Sequence, residues 1–291
     1  MATTTKKAGK KAGKKAAEET AVAIRPEYAV DGADYGAHAG AGFEDQDASD
    51  ISIPFLQILQ ALSPQLQKGN EKFIEGAEIG DIIDNVSNEV ISGEILFVPA
   101  LRFKQYVQWK KKDAGGGLVA RYDKGDPFVQ ECIQATGQSF GKLDVPGEKD
   151  HELIETVYVV GNMYRGSLEA DPEPCILSFT SSKIKVFKKW NTAMNKAMVV
   201  VNGTKQKVPL FANVAALGTV SETNSKNQTY SNYAIKPANG DIKSSLLAPD
   251  SQAFVDALAL RDVFSAGEVV MADESAEAGG SSDATAGDDV F

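Results

Sequence analysis

Mainly β structure with a small helical share is what this 291-residue chain predicts, and three observations carry the expectation. Residues 51–265 contain runs rich in Val, Ile, Tyr, Phe and Thr that end at turn-forming residues, the pattern of strands. In "SSKIKVFKKWNTAMNKAM" the apolar period switches to three and four, the pattern of an amphipathic helix. The two ends, 1–50 and 266–291, consist largely of Ala, Gly, Ser, Lys and acids, with too little apolar surface to offset chain entropy.

The folded unit, 51–265, is expected to open with a short helix in "SDISIPFLQILQALSP". Pro54 suits a first turn, Phe55, Leu56, Ile58, Leu59 and Leu62 form an apolar stripe, and Pro64 stops it. After a polar loop, "EILFVPALRFKQYVQWKKK" reads as strand, Gly115 to Gly117 mark a turn, and "LVARY" continues as strand. "ELIETVYVVGNMYR" and "PCILSFT" are further strands. In the helix that follows, Ile184, Phe187, Trp190, Met194 and Met198 share a face, with Ser181 or Ser182 as N-cap. "PLFANVAALGTV" and "NQTYSNYAIKP", joined by "SETNSK", are the last strands, and a helix from about Asp250 to Ser265 closes the unit.

Strands, one helix between the third and fourth, then two strands is the order of an OB-fold, a five-stranded Greek-key barrel, here with flanking N- and C-terminal helices. An α+β sandwich fits the same order. The expected organisation is thus a Lys/Ala/Gly-rich and then acidic segment (1–50), an OB-fold-like domain (51–265) and an acidic tail (266–291), with both ends disordered.

The net charge of −10 is unevenly spread. Residues 1–15 carry six lysines and no acid, 16–50 nine acids against Arg25, and 266–291 seven acids and no base. Residues 51–265 are nearly balanced, so the acidic total does not exclude a nucleic-acid partner. Runs such as "AMVVV" fall far short of the roughly 18 apolar residues of a membrane span, so no membrane association is expected. "KKAGKKAGKKAAEE" lacks the apolar run of a secretory signal. With only Cys132, Cys175, His38 and His151, neither a disulfide framework nor a zinc cluster can be assembled in the usual pattern. A cytoplasmic location follows, with both cysteines as small buried hydrophobes.

Two stretches could contact a polyanion. With a period of two, Arg102, Lys104, Tyr106, Gln108 and Lys110 share one strand face and Phe103, Gln105, Val107 and Trp109 the other. The first face offers cations for phosphates and a ring for base stacking, extended by Lys111 and Lys112. It also fits a solvated edge strand whose lysines block aggregation. The second stretch holds Lys183, Lys185, Lys188, Lys189, Lys196, Lys205 and Lys207 without an acid. A solvated helix face explains several of these lysines, and Trp190 suits a core. Tyr230 and Tyr233 fall on opposite faces of their strand, and Tyr230 is taken with the DNA-facing set. Catalytic motifs are sparse. "GGGLVAR" is no phosphate loop, no Gly-x-Ser-x-Gly elbow occurs, and Asp81 with Asp84 could at most hold magnesium. No enzyme activity and no cofactor are expected.

The chain ends in "AGDDVF", an acidic run with the tail's only aromatic as last residue. This tail, with "IPFLQILQALSPQLQKGNEKFIEGAEIGDI", "FVPALRFKQYVQWKKKDAGGGLVARYD" and "SSKIKVFKKWNTAM", resembles bacteriophage single-stranded DNA-binding proteins. The resemblance implies an OB-fold that coats and protects single-stranded DNA, without sequence preference, in replication, recombination and repair in the host cytoplasm. It also implies that Asp288, Asp289, Val290 and Phe291 recruit replication proteins such as a polymerase or helicase/primase, and it is compatible with a homodimer. Gly279 to Ser282 interrupt the acidic tail, and the lysine-rich N-terminus is not part of the family's pattern. A phage structural or scaffold-type interaction protein is the alternative, a magnesium-dependent nuclease the third.

Overall fold

Two long antiparallel strands, Ile95–Lys110 and His151–Arg165, lie side by side along their length and form the spine of the main sheet. The computed structural model describes residues 1, 41–45, 50, 52–224 and 227–272. The chain divides into two units, Met1–Gln46 and Asp47–Phe291, and all regular structure described here belongs to the second.

In chain order the strands are β1 (Ser52–Ile53), β2 (Leu56–Ile58), β3 (Ile82–Asp84), β4 (Val90–Ile91), β5 (Ile95–Lys110), β6 (Leu118–Asp123) and β7 (Lys142–Asp144). There follow β8 (His151–Arg165), β9 (Glu173–Phe179), β10 (Met198–Val201), β11 (Thr204–Lys207), β12 (Ala215–Thr223), β13 (Thr229–Pro237) and β14 (Val270–Met271). The α-helices are α1 (Pro127–Thr136), α2 (Lys183–Asn195) and α3 (Gln252–Ser265).

The spine supports two half-sheets end to end. β12 pairs with the start of β5, and β6 pairs with its last third on the same side. Across the spine, β9 pairs with Val157–Met163 of β8 and β7 with Glu152–Ile154. One half therefore runs β13-β12-β5-β8-β9 and the other β6-β5-β8-β7. Leu153 to Tyr164 are buried without interruption, as expected of a strand covered on both faces. On one face Phe97, Val159, Leu177, Phe179 and Tyr233 meet Phe187, Trp190 and Met194 of α2. On the other, Tyr158, Val160 and Ile176 pack with Phe103, Trp109 and Phe264 of α3.

The expected mainly β unit with helices is present, with strands, α2 and then β12 and β13 in the anticipated order. Closure into a barrel is not. β9 and β13 are the outer strands of their half-sheet and do not pair with each other. The N-terminal segment spans the gap between them. Phe55 bridges Ile176 in parallel, and the Ile176 N–H donates to the Pro54 carbonyl at 2.8 Å. Gln60 exchanges two 2.9 Å hydrogen bonds with the backbone of Ser231, and the Tyr233 hydroxyl donates to the Leu56 carbonyl.

The helix expected over this segment is consequently replaced by β1 and β2. Pro54 biases Ile53 towards extended backbone. Ile53, Phe55, Leu56, Ile58 and Leu59 are all buried, so the apparent helical stripe is a short run wedged between layers. Such runs fit both templates. Two further boundaries move. α2 ends at Asn195, leaving Met198 to open β10. The folded unit also continues past Ser265, where β14 pairs in parallel with β1 and the Ala272 N–H donates to Ile53 at 3.0 Å.

Candidate nucleic-acid interface

The two basic stretches lie on different halves of the sheet. Trp190 of α2 packs on Phe97 with ring centroids 6.2 Å apart. At about 3.3 Å per residue, Lys104 is roughly 20 Å further along β5 and Lys110 roughly 40 Å.

In the first stretch, Arg102, Lys104 and Lys110 are exposed, but Tyr106 is fully buried. Its ring packs with Val129, Cys132, Leu143 and Leu153, and its hydroxyl donates to the Ser139 carbonyl at 2.8 Å. Burial pushes its phenol pKa up, with the Glu155 charge adding to the effect. Tyr106 is therefore no stacking platform, because α1 and β7 cover the face that the period of two assigned to solvent. Lys104 is ion-paired with Glu155, whose carboxylate also accepts the Gly141 N–H at 3.1 Å. The Lys111 ammonium donates to the Lys149 carbonyl, and Lys112 opens the short 3-10 turn Lys112–Ala114. Several of these cations thus already serve local structure.

The second stretch is placed differently, although its Lys207 also bonds a neighbour, Asn195. Phe187, Trp190 and Met194 anchor α2, which leaves Lys185, Lys188 and Lys189 exposed along its outer side. Lys183 at its start holds its ammonium 5.3 Å from the centroid of the Tyr233 ring. Tyr230 borders the same end. It is half-buried, donates its hydroxyl to Glu222 at 2.8 Å and interacts with Ser182, and desolvation chiefly raises its pKa. Beyond exposed Lys196 the chain forms a hairpin, β10–β11, whose lysines Lys205 and Lys207 are also exposed. Asn202 and Gly203 adopt φ of 51° and 77° at its tip, the left-handed pair of a type I′ turn. Residues 174–221 contain no Asp or Glu, so the helix and hairpin make one cationic surface uninterrupted by their own carboxylates.

The hairpin was missed in the sequence although its signal is present: a β-branched run followed by Asn-Gly. Lys196, Lys205 and Lys207 thereby join Lys185, Lys188 and Lys189. The tip Asp288, Asp289, Val290 and Phe291 lies outside the described residues.

The features suited to other chemistry are modest. Asp81 accepts the Glu78 N–H at 2.8 Å, and Asp84 accepts those of Val86 and Ser87 at 2.7 and 3.0 Å, so both carboxylates stabilise their own turns. Among the described residues, no group of three or more His, Cys, Asp or Glu side chains could hold a metal ion. No described helix is long and apolar enough to cross a membrane. Both cysteines are buried and unbridged.

A family model described as Pam3 phage gp34-like protein matches residues 17–269. The chain belongs to this bacteriophage family. No curated protein and no solved structure matches it. The span shared with the gp34-like family contains α2, the β10–β11 hairpin and both basic stretches, and it leaves out Lys6 to Lys15 and the acidic C-terminus.

Proposed function

We propose that this phage protein binds single-stranded DNA with little sequence preference, coating and protecting it during replication, recombination and repair in the host cytoplasm. The observation that carries the reading is the exposed lysine surface of α2 and the following hairpin within a stretch free of acids. Lysines so placed neutralise phosphates whatever the base, and released counterions drive association. Within one half-sheet β5, β8 and β9 precede α2 and β12 and β13 follow it, an order that supports an OB-like reading although the sheet is not closed into a barrel. In the same reading the acidic tip Asp288 to Phe291 recruits replication enzymes, and the protein acts by binding rather than catalysis.

A titration of labelled single- and double-stranded oligonucleotides across a salt series tests this. Single strands should bind more tightly, and log K should fall with log salt by about 0.7 per phosphate neutralised. Replacing Lys185, Lys188 and Lys189 together by Ala should flatten that slope by about 2. Equal affinity for duplex, or a slope that ignores salt and lysines alike, would sink the proposal. The exposed Val199–Val201 run favours a second reading, a phage structural or scaffold-type interaction protein, for which neither oligonucleotide would shift.

A further inference from the structure

Hairpin β10–β11 presents an unusual surface. Met198, Val199, Val200 and Val201 are consecutive, apolar and all exposed, Val200 at 67%. A free two-stranded hairpin is marginally stable in water, and an apolar run of this kind marks an interaction site. The two faces of the hairpin differ. Cross-strand partners share a face, so Met198 opposite Lys207 and Val200 opposite Lys205 alternate apolar and cationic groups on one side. The reverse side carries Val199 and Val201 opposite Gln206 and Thr204, with no charge.

The geometry points to the Met198–Val200–Lys205–Lys207 face as a base-contacting platform for single-stranded nucleic acid: Met198 and Val200 cover unstacked bases while the two ammonium groups hold the adjoining phosphates. This inference rests on the single-strand-binding reading and adds the part that recognises bases. Charge complementarity selects the occupant, because the face needs a partner both anionic and apolar at the spacing of neighbouring side chains. A duplex hides the flat sides of its bases in the stack, whereas a single strand exposes them. The base of the hairpin is held to the domain by Ala197 and Val208, which are buried with Ala212 against Ile242, Leu246 and Phe254, and Lys207 bonds Asn195 at the end of α2 while keeping further N–H donors for a phosphate.

The test uses the full chain and three variants: Met198→Ser/Val200→Ser, Val199→Thr/Val201→Thr as the reverse-face control, and Lys205→Ala/Lys207→Ala. Each is titrated against oligothymidylate, an abasic oligonucleotide of equal length and a duplex, and thermal melting confirms that each remains folded. The serine variant should lose on the order of fivefold to tenfold for oligothymidylate at an unchanged salt slope and lose nothing for the abasic strand. The control should bind as the unmodified chain, and the lysine variant should flatten the slope by about 1.4. Equal losses on abasic strand or duplex, or an unaltered serine variant, would overturn the platform while leaving single-strand binding standing. Loss of self-association or of binding to anionic vesicles, at unchanged oligothymidylate affinity, would assign the face to another partner and overturn it equally. Failure of the unmodified chain to bind any oligonucleotide would remove the functional reading and the platform with it.

Discussion

Tyr106 shows how strongly one side chain depends on what covers it. Alternation along β5 places it with Arg102 and Lys104, both exposed, yet its ring is enclosed by α1 and β7. Tyr106→Ala should therefore cost about 3–5 kcal/mol of stability, the range for truncating a buried aromatic. Tyr106→Phe should cost about 0.5–1.5 kcal/mol through the bond to Ser139. Urea denaturation measures both, and binding of oligonucleotides by the folded fraction should be unchanged. A Tyr106→Ala variant with normal stability and weak DNA binding would return the residue to the surface role. Trp109, on the opposite side of the strand, is only half-buried against the α3 cluster, so its truncation should cost less than that of Tyr106.

At the scale of elements, the β5–β8 pair matters most because both half-sheets hang from it. Its register shifts between Pro99 and Leu101, opposite Gly161. A Cβ at Gly161 would lie 2.4 Å from the Val98 carbonyl oxygen and 2.6 Å from the Phe97 ring, closer than atoms can pack. Backbone on one side and a core ring on the other leave little room to yield. Gly161→Ala should destabilise the domain by about 1–3 kcal/mol or more, seen as a lower Tm. Gly218→Ala, where a Cβ would meet nothing within 4 Å, is the matched control on β12. Similar melting losses for the two would mean that the spine tolerates the added methyl group.

At the scale of the whole molecule, the C-terminal part of the fold and the chain's charge separate at Ala272. β14 pairs with β1, Ala272 is buried, and Val269 and Met271 pack in the cluster that contains Phe264. A chain ending at Ser265 loses this strand, whereas one ending at Ala272 keeps it and sheds six carboxylates. The chain ending at Ala272 should melt like the full chain and bind single-stranded DNA more tightly, most visibly at low salt, because less negative charge opposes the polyanion. The chain ending at Ser265 should melt at lower temperature. Calorimetry with oligonucleotide titration decides this, and identical melting of both truncations would show that β14 contributes nothing. Deleting Phe291 alone leaves every side-chain charge, so DNA affinity should hold while capture of a replication partner is lost.

Local pattern alone determined the strands β5, β8, β9 and β13, the helices α2 and α3, the burial of Trp190 and both cysteines, and the lysines left outside α2. In each case a long periodic or β-branched run has one favourable conformation, and a helix anchored by Phe187, Trp190 and Met194 has only one outside. The tertiary structure decided the rest. Whether Tyr106 meets solvent depends on α1 and β7, which lie later in the chain. Residues 52–58 became extended because β14, β9 and β3 offer backbone partners to a short apolar run that fits either period. The separation of the two basic stretches follows from the length of β5 and the placement of α2 at one end of it. A side chain's pattern reports its own chemistry, whereas its exposure is set by distant segments that pack against it.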